Sequence, residues 1–327
     1  MSGFDATRPA DGRRLLSPLV ALLLAGVVAY AGAAAWSGSA DTLAAVATIG
    51  MPLFIVGTLV ASSSYAIRFG RWHALLRWLG HHVPVGFNVR VYLAGLALSP
   101  TPAKLGETLR SALLLPRGVP VSDSLAAFFA DRLSDVIGVA ALGAAAAALA
   151  GGRQPALVAI ALVAFVLTAA VTSLLRGPNG CALLSRLRVP GARPWLAALT
   201  APAIAWSQVW TLPRSLMCVL AAALAFGVQG LVFAAYVQAL APHMGAVQCV
   251  AIFGAATLIG AASMIPGGLG AMDAALVWQL SNHGVGLPQA LAAVLAVRAS
   301  TLWFGILLGV VMLASLARLA AAARGAK

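Results

Sequence analysis

The chain has 327 residues, of which 61% are hydrophobic and only 9% charged, with a mean hydropathy of +0.96. A soluble domain is nearer 45–50% apolar and about 25% charged, so a water-soluble enzyme, a disordered chain and a disulfide scaffold are excluded. The apolar runs are too long for barrel strands, which leaves an all-α integral membrane protein.

Clear spans are predicted at 15–36, 43–67, 122–150, 155–175, 215–241 and 288–317. Each can cross a ~30 Å hydrocarbon core at about 1.5 Å per residue. The first follows Arg8, Arg13 and Arg14 and resembles a signal peptide, but its length favours a retained span. Two further apolar stretches are interrupted: 88–115 by Pro100 and Pro102, and 247–280 by Pro266, Gly267, Gly268 and Gly270. Proline and clustered glycine break helices.

Arginine and lysine collect in 1–14, 68–90, 176–214 and 318–327, and are absent from 37–42, 242–246 and 281–287. Positive-inside then places both termini in the cytoplasm. It also makes 176–214 a cytoplasmic interfacial segment carrying Trp195, Trp206 and Trp210. The formal charge of +13 is assigned to this asymmetry and to an anionic leaflet rather than to nucleic acid. Residue 122 starts on the side where 68–90 lies, so 88–115 must enter and leave by the cytoplasmic face. By the same count 247–280 enters and leaves by the outer face, although its 247–265 limb could span alone. The expectation is six full spans plus two re-entrant helical hairpins. Residues 15–150 form a first repeat and 155–317 a second of inverted topology, as in many secondary transporters.

Four of the eight acidic residues, Glu107, Asp131, Asp135 and Asp273, fall inside apolar segments, together with Lys104, Arg110, Arg132 and Arg298. Each ionisable group at membrane depth costs about 2.5–3.5 kcal/mol on insertion scales, so they are expected in pairs or lining a wet cavity. Glu107 and Arg110 share a helix face at i, i+3, and Asp131 and Asp135 share one at i, i+4, with Arg132 about 100° away. Asp273 falls in a first helical turn, where the macrodipole favours a carboxylate. Helix N-termini at 101–104 and 268–273 are expected to offer N–H groups to an anion. The competing reading is an internal ion-pair network that orders the bundle and binds nothing. Cys181, Cys218 and Cys249 fit no metal or redox spacing, and no P-loop, HExxH or GxSxG motif is present. No cofactor, metal or catalytic residue is expected.

The run Pro102-Ala103-Lys104-Leu105-Gly106-Glu107-Thr108-Leu109-Arg110, the element Arg132-Leu133-Ser134-Asp135 and the run Pro266-Gly267-Gly268-Leu269-Gly270-Ala271-Met272-Asp273, in that order, resemble the lysylphosphatidylglycerol synthase transmembrane-region family. In that family the last motif ends in Glu, where this chain has Asp273, and an arginine of the final span matches Arg298. The resemblance covers essentially the whole chain and implies lipid translocation in a bacterial inner membrane. Its best-known members add a soluble aminoacyltransferase half. The chain ends at Lys327 without one, so an enzyme is not expected.

A polar-lipid flippase is therefore expected. Lys104, Glu107, Arg110, Asp131, Arg132, Asp135, Pro266, Gly267, Gly268, Gly270, Asp273 and Arg298 would line its head-group site. Arg110, Arg298 and the helix ends would take the phosphate, and Glu107 would carry any coupled proton. The expected partners are membrane lipids, with an envelope-lipid enzyme and a second copy of the chain also open. Two rival readings are a small-solute secondary transporter of the same architecture and a non-transporting scaffold for an envelope-lipid enzyme.

Overall fold

The computed structural model describes residues 39–99, 109–152, 155–176 and 193–325. Among these every regular element is helical. In chain order they are α1 (Ser39–Ile49), α2 (Met51–Trp78), α3 (Val85–Leu96), α4 (Leu109–Leu114), α5 (Val121–Leu149), α6 (Pro155–Arg176), α7 (Arg193–Val209) and α8 (Leu212–Leu240). Then follow α9 (Ala246–Ala262), α10 (Ala271–Asn282), α11 (Leu287–Arg298) and α12 (Phe304–Gly325). A π-turn, Ala299–Trp303, joins α11 to α12 into one continuous rod.

Five elements are long and apolar enough to cross a membrane: α2, α5, α6, α8 and the segment Leu287–Leu319. They correspond to five of the six expected spans, and the sixth, 15–36, lies outside the described residues. The exposed apolar side chains of α6, among them Leu162, Val166, Leu167 and Leu174, suit contact with hydrocarbon rather than water.

The second span differs from expectation. Hydropathy places it at 43–67 with a cytoplasmic loop over 68–90, but the chain breaks at Gly50 (φ 71°) and the helix runs from Met51 to Trp78. No helix-breaking cluster interrupts 51–78, and the first turn signal after it is Gly80 (φ 89°). Arg68 and Arg71, counted as loop charges, are therefore buried helix residues. The 176–214 segment also holds more structure than a loop: its part α7 packs on α5 and α6, and Arg176 donates to the Ser207 carbonyl.

Contacts along the helices fix their directions. Gly57 meets Tyr236, Ser64 meets Gln229 and Arg71 meets the Cys218 carbonyl, so α2 and α8 are antiparallel over their length. Gly138 meets Ala222 and Gly227 meets Leu142, so α5 runs parallel to α8. Thr58 meets Ser300 and Tyr65 meets Gly305, so the α11–α12 rod runs parallel to α2. It follows that α5 begins at the end of the bundle where α2 stops. The rod begins at the opposite end, where α8 stops.

The intervening segments hold short helices. α3 and α10 have 12 residues each, about 18 Å, and α9 has 17, about 26 Å. α9 and α10 form an antiparallel hairpin, with Gly260 against Met272 and Gln279 donating to the Ile252 carbonyl. The expected first tip, Pro100–Pro102, lies outside the described residues. Its two limbs meet where Arg110 of α4 packs on Gly95 of α3.

The core has two apolar centres. One gathers Phe233, Tyr236, Phe253, Leu276 and Val297 from α8 to α11. The other gathers Trp72, Leu75, Tyr92, Leu114 and Phe128 from α2 to α5.

Candidate functional site

Between these centres lies a cavity of about 390 Å³. Its wall is drawn from α2 (Tyr65, Arg68), α3 (Tyr92, Leu96), α5 (Arg132, Asp135), α8 (Phe226, Gln229), α9, the Gly267–Gly268 turn, and Arg298 with the rod beyond it. Both interrupted segments therefore contribute to one chamber.

Its first charged group is built on α2 and α5. Arg71, almost wholly buried, donates from Nε to Asp131 Oδ1 at 2.7 Å and from Nη2 to Asp135 Oδ1 at 2.7 Å. Asp131 and Asp135 share a helix face as expected. Arg132 was expected to point away from them. Instead Nη2 reaches Asp131 Oδ2 at 2.5 Å and Nη1 reaches Asp135 Oδ2 at 3.3 Å. The Cα–Cβ vector does diverge, but the arginine stem is long enough to fold back along an apolar wall. Two guanidiniums and two carboxylates thus form a neutral quartet, with charge-assisted bonds that compensate burial.

The second group closes the α9–α10 turn. Gly267, Gly268 and Gly270 all adopt positive φ (64°, 64° and 83°), a region closed to most side chains. Two of the N–H groups expected to receive an anion there are satisfied within the chain. Gly268 donates to the Ile265 carbonyl at 2.8 Å, and Gly270 donates to Asp273 Oδ2 at 2.8 Å. An aspartate in the first turn reaches back to cap its own helix and already supplies the negative charge that end attracts.

Arg298, expected as a phosphate ligand, places three of its five N–H donors within the chain. Nε donates to Asp273 Oδ1 at 2.5 Å, and Nη1 and Nη2 donate to the Gly267 and Gly268 carbonyls at 3.3 and 3.1 Å. Two carbonyl oxygens of the tip thus face the Arg298 guanidinium. Pro266 opens this turn.

Arg110 lies off the cavity wall. Its guanidinium sits 4.2 Å from the Tyr92 ring and 5.1 Å from Trp72, where ring quadrupoles favour a cation. Lys104 and Glu107 lie outside the described residues. The structure therefore brings Arg132, Asp135, Gly267, Gly268 and Arg298 onto one cavity. Asp131 and Asp273 stand directly behind them, and Arg110 stands apart.

Sequence reading missed Tyr65, Arg68, Arg71, Tyr92 and Gln229. The absence of any proline–glycine cluster between 51 and 78 was the signal for Arg68 and Arg71. Nothing in the sequence marked Gln229, which donates to Ser64 Oγ at 2.9 Å. The π-turn directly after Arg298 was equally silent. At this turn the Thr301 carbonyl accepts from the Tyr65 hydroxyl, and Ser300 Oγ lies 2.7 Å from the Tyr236 hydroxyl. Such turns recur at functional sites.

Long apolar helices around a charged interior chamber define a multi-pass membrane protein. The chain belongs to the family described as the lysylphosphatidylglycerol synthase TM region, whose model matches residues 19–309. No curated protein matches it.

Proposed function

We propose that the protein carries a polar lipid between leaflets of a bacterial cytoplasmic membrane, as a transporter rather than an enzyme. The observation that carries this reading is the rim of the cavity. Met264 and Ile265 line the chamber and are also 59% and 44% exposed, so an apolar lip adjoins a polar floor. A lipid would place its head group on the floor while its tails stay outside. A closed polar vestibule would have suited a small solute instead.

In this reading α3–α4 and α9–α10 are re-entrant hairpins. The directions of α2, α5, α8 and the α11–α12 rod support that assignment, since the chain between each pair returns to the end it left. The two halves then form an inverted repeat, and their rocking would alternate access to the fixed chamber. Glu107 is assigned the proton, if one is coupled.

Reconstitution into vesicles with a head-group-labelled phospholipid tests the proposal. The wild-type chain is expected to equilibrate the label between leaflets well above the protein-free rate. Asp135→Asn and Glu107→Gln should each slow it several-fold. A wild-type rate equal to that of empty vesicles overturns the reading.

A further inference from the structure

Among the described residues, the charges around the chamber do not cancel. Among the described residues, Arg71, Arg132 and Arg298 are matched by Asp131, Asp135 and Asp273 in the ion pairs above. Arg68 is left over. It lines the cavity and is only 8% exposed. None of the ion pairs among the described residues includes it, and its buried Nε has no hydrogen-bond partner. Its guanidinium lies 4.1 Å from the Phe226 ring, which attracts the cation but uses up no planar N–H donor. A buried arginine with an unmet donor is costly unless a ligand completes it.

We propose that Arg68 is the anion-binding residue of the chamber and that it takes one singly charged phosphodiester. The inference rests on the transport reading above and names its substrate class. One unpaired guanidinium balances one negative charge, so a lipid with a net charge of −1 neutralises the chamber's described residues. A zwitterionic head group adds a second cation, and the chamber carboxylates among the described residues are already paired. Arginine also suits the geometry, since its planar fork matches two phosphate oxygens. Phe226 lies under the guanidinium, Tyr65 is one turn before it on α2, and Gln229 shares the Phe226 face of α8. At about 390 Å³ the chamber falls within the range of small-molecule pockets, and the acyl chains need not enter it.

The test is lipid retention by the full chain in neutral detergent, read by native mass spectrometry with phosphatidylglycerol and phosphatidylcholine as competing probes. The wild type is expected to prefer phosphatidylglycerol by roughly tenfold or more, the scale of a charge-assisted bond. Arg68→Gln should erase the preference, and Arg68→Lys should keep part of it. Gln229→Glu supplies a carboxylate on the Phe226 face without touching Arg68, and it too should erase the preference. Melting temperatures read alongside identify any variant that fails to fold.

Glycerophosphoglycerol, the same phosphodiester without tails, separates the sources. If it displaces the lipid at millimolar concentration, the site belongs to the phosphodiester itself. If the lipid resists it while Arg68→Gln still loses the preference, the site belongs to a lipid head group. No preference in the wild type, or a preference unchanged in both folded Arg68→Gln and Gln229→Glu, overturns the assignment. Vesicle transport is scored separately. An intact preference without transport removes only the transport reading, and transport without a preference removes only the anion site.

Discussion

Arg71 illustrates what a single buried side chain does in this protein. It is 4% exposed and holds two carboxylates from α5, one of them fully buried. Removing one member of a buried ion pair leaves the others uncompensated, at a cost of about 3–5 kcal/mol. Arg132 also touches both carboxylates, which limits the damage. Arg71→Met is therefore expected to destabilise the protein by about 3 kcal/mol, seen as a lower melting temperature in detergent. Combining it with Asp131→Asn should recover part of that loss, because the buried charge is removed together with its partner. A double-variant loss equal to the sum of the Arg71→Met and Asp131→Asn losses would show that the quartet is not energetically coupled. Asp131 and Asp135 were legible in the sequence because a carboxylate inside an apolar run has few explanations. Arg71 was not, because an arginine at the end of such a run is also what the positive-inside rule leads one to expect. Burial distinguishes the two cases, and burial depends on tertiary contacts.

At the scale of elements, close helix approach is set by small residues. A Cβ on Gly254 of α9 would lie 3.0 Å from the Gly143 Cα of α5, and one on Gly138 would lie 2.7 Å from Ala222 Cβ of α8. Within lipid, apolar side chains gain little from association, so such backbone contact carries much of the helix pairing. Gly254→Leu is expected to force α5 and α9 apart and cost about 1–3 kcal/mol or more. The Gly268 turn is a second such point, with positive φ and the Gly260 Cα 3.4 Å from a would-be Cβ. Gly268→Ala should cost about 1–2 kcal/mol through left-handed strain and lower the melting temperature. Leu269→Ala, one residue further along the same turn, brings no such strain and should melt closer to the wild type. The interrupted segments were visible in the sequence because proline and glycine clusters have strong local meaning. The boundaries of α2 were not, since hydropathy alone gives no reason to extend a span through two arginines.

Across the whole molecule, antiparallel α2 and α8 form a spine with α5 and the α11–α12 rod packed on it, and the chamber opens between the two apolar centres. The charge bias on which the expected alternation of spans rests survives the loss of Arg68 and Arg71 to the helix: Arg77 and Arg90 remain near the same end. The chamber itself was only partly legible. Sequence named carboxylates at and behind its wall, but Arg68 joined the cavity only when the helix directions set α2 against α8. The apolar lip gives a test at this scale. Ile265 lines the cavity and is 44% exposed, so enlarging it narrows the passage from the surrounding lipid to the polar floor. Exposed substitutions usually change stability by less than about 0.5 kcal/mol, and Ile265→Trp should therefore melt near the wild type. It should nevertheless slow lipid equilibration in vesicles several-fold, because each head group must pass that lip. A folded Ile265→Trp that transports at the wild-type rate would show that lipids reach the chamber by another route.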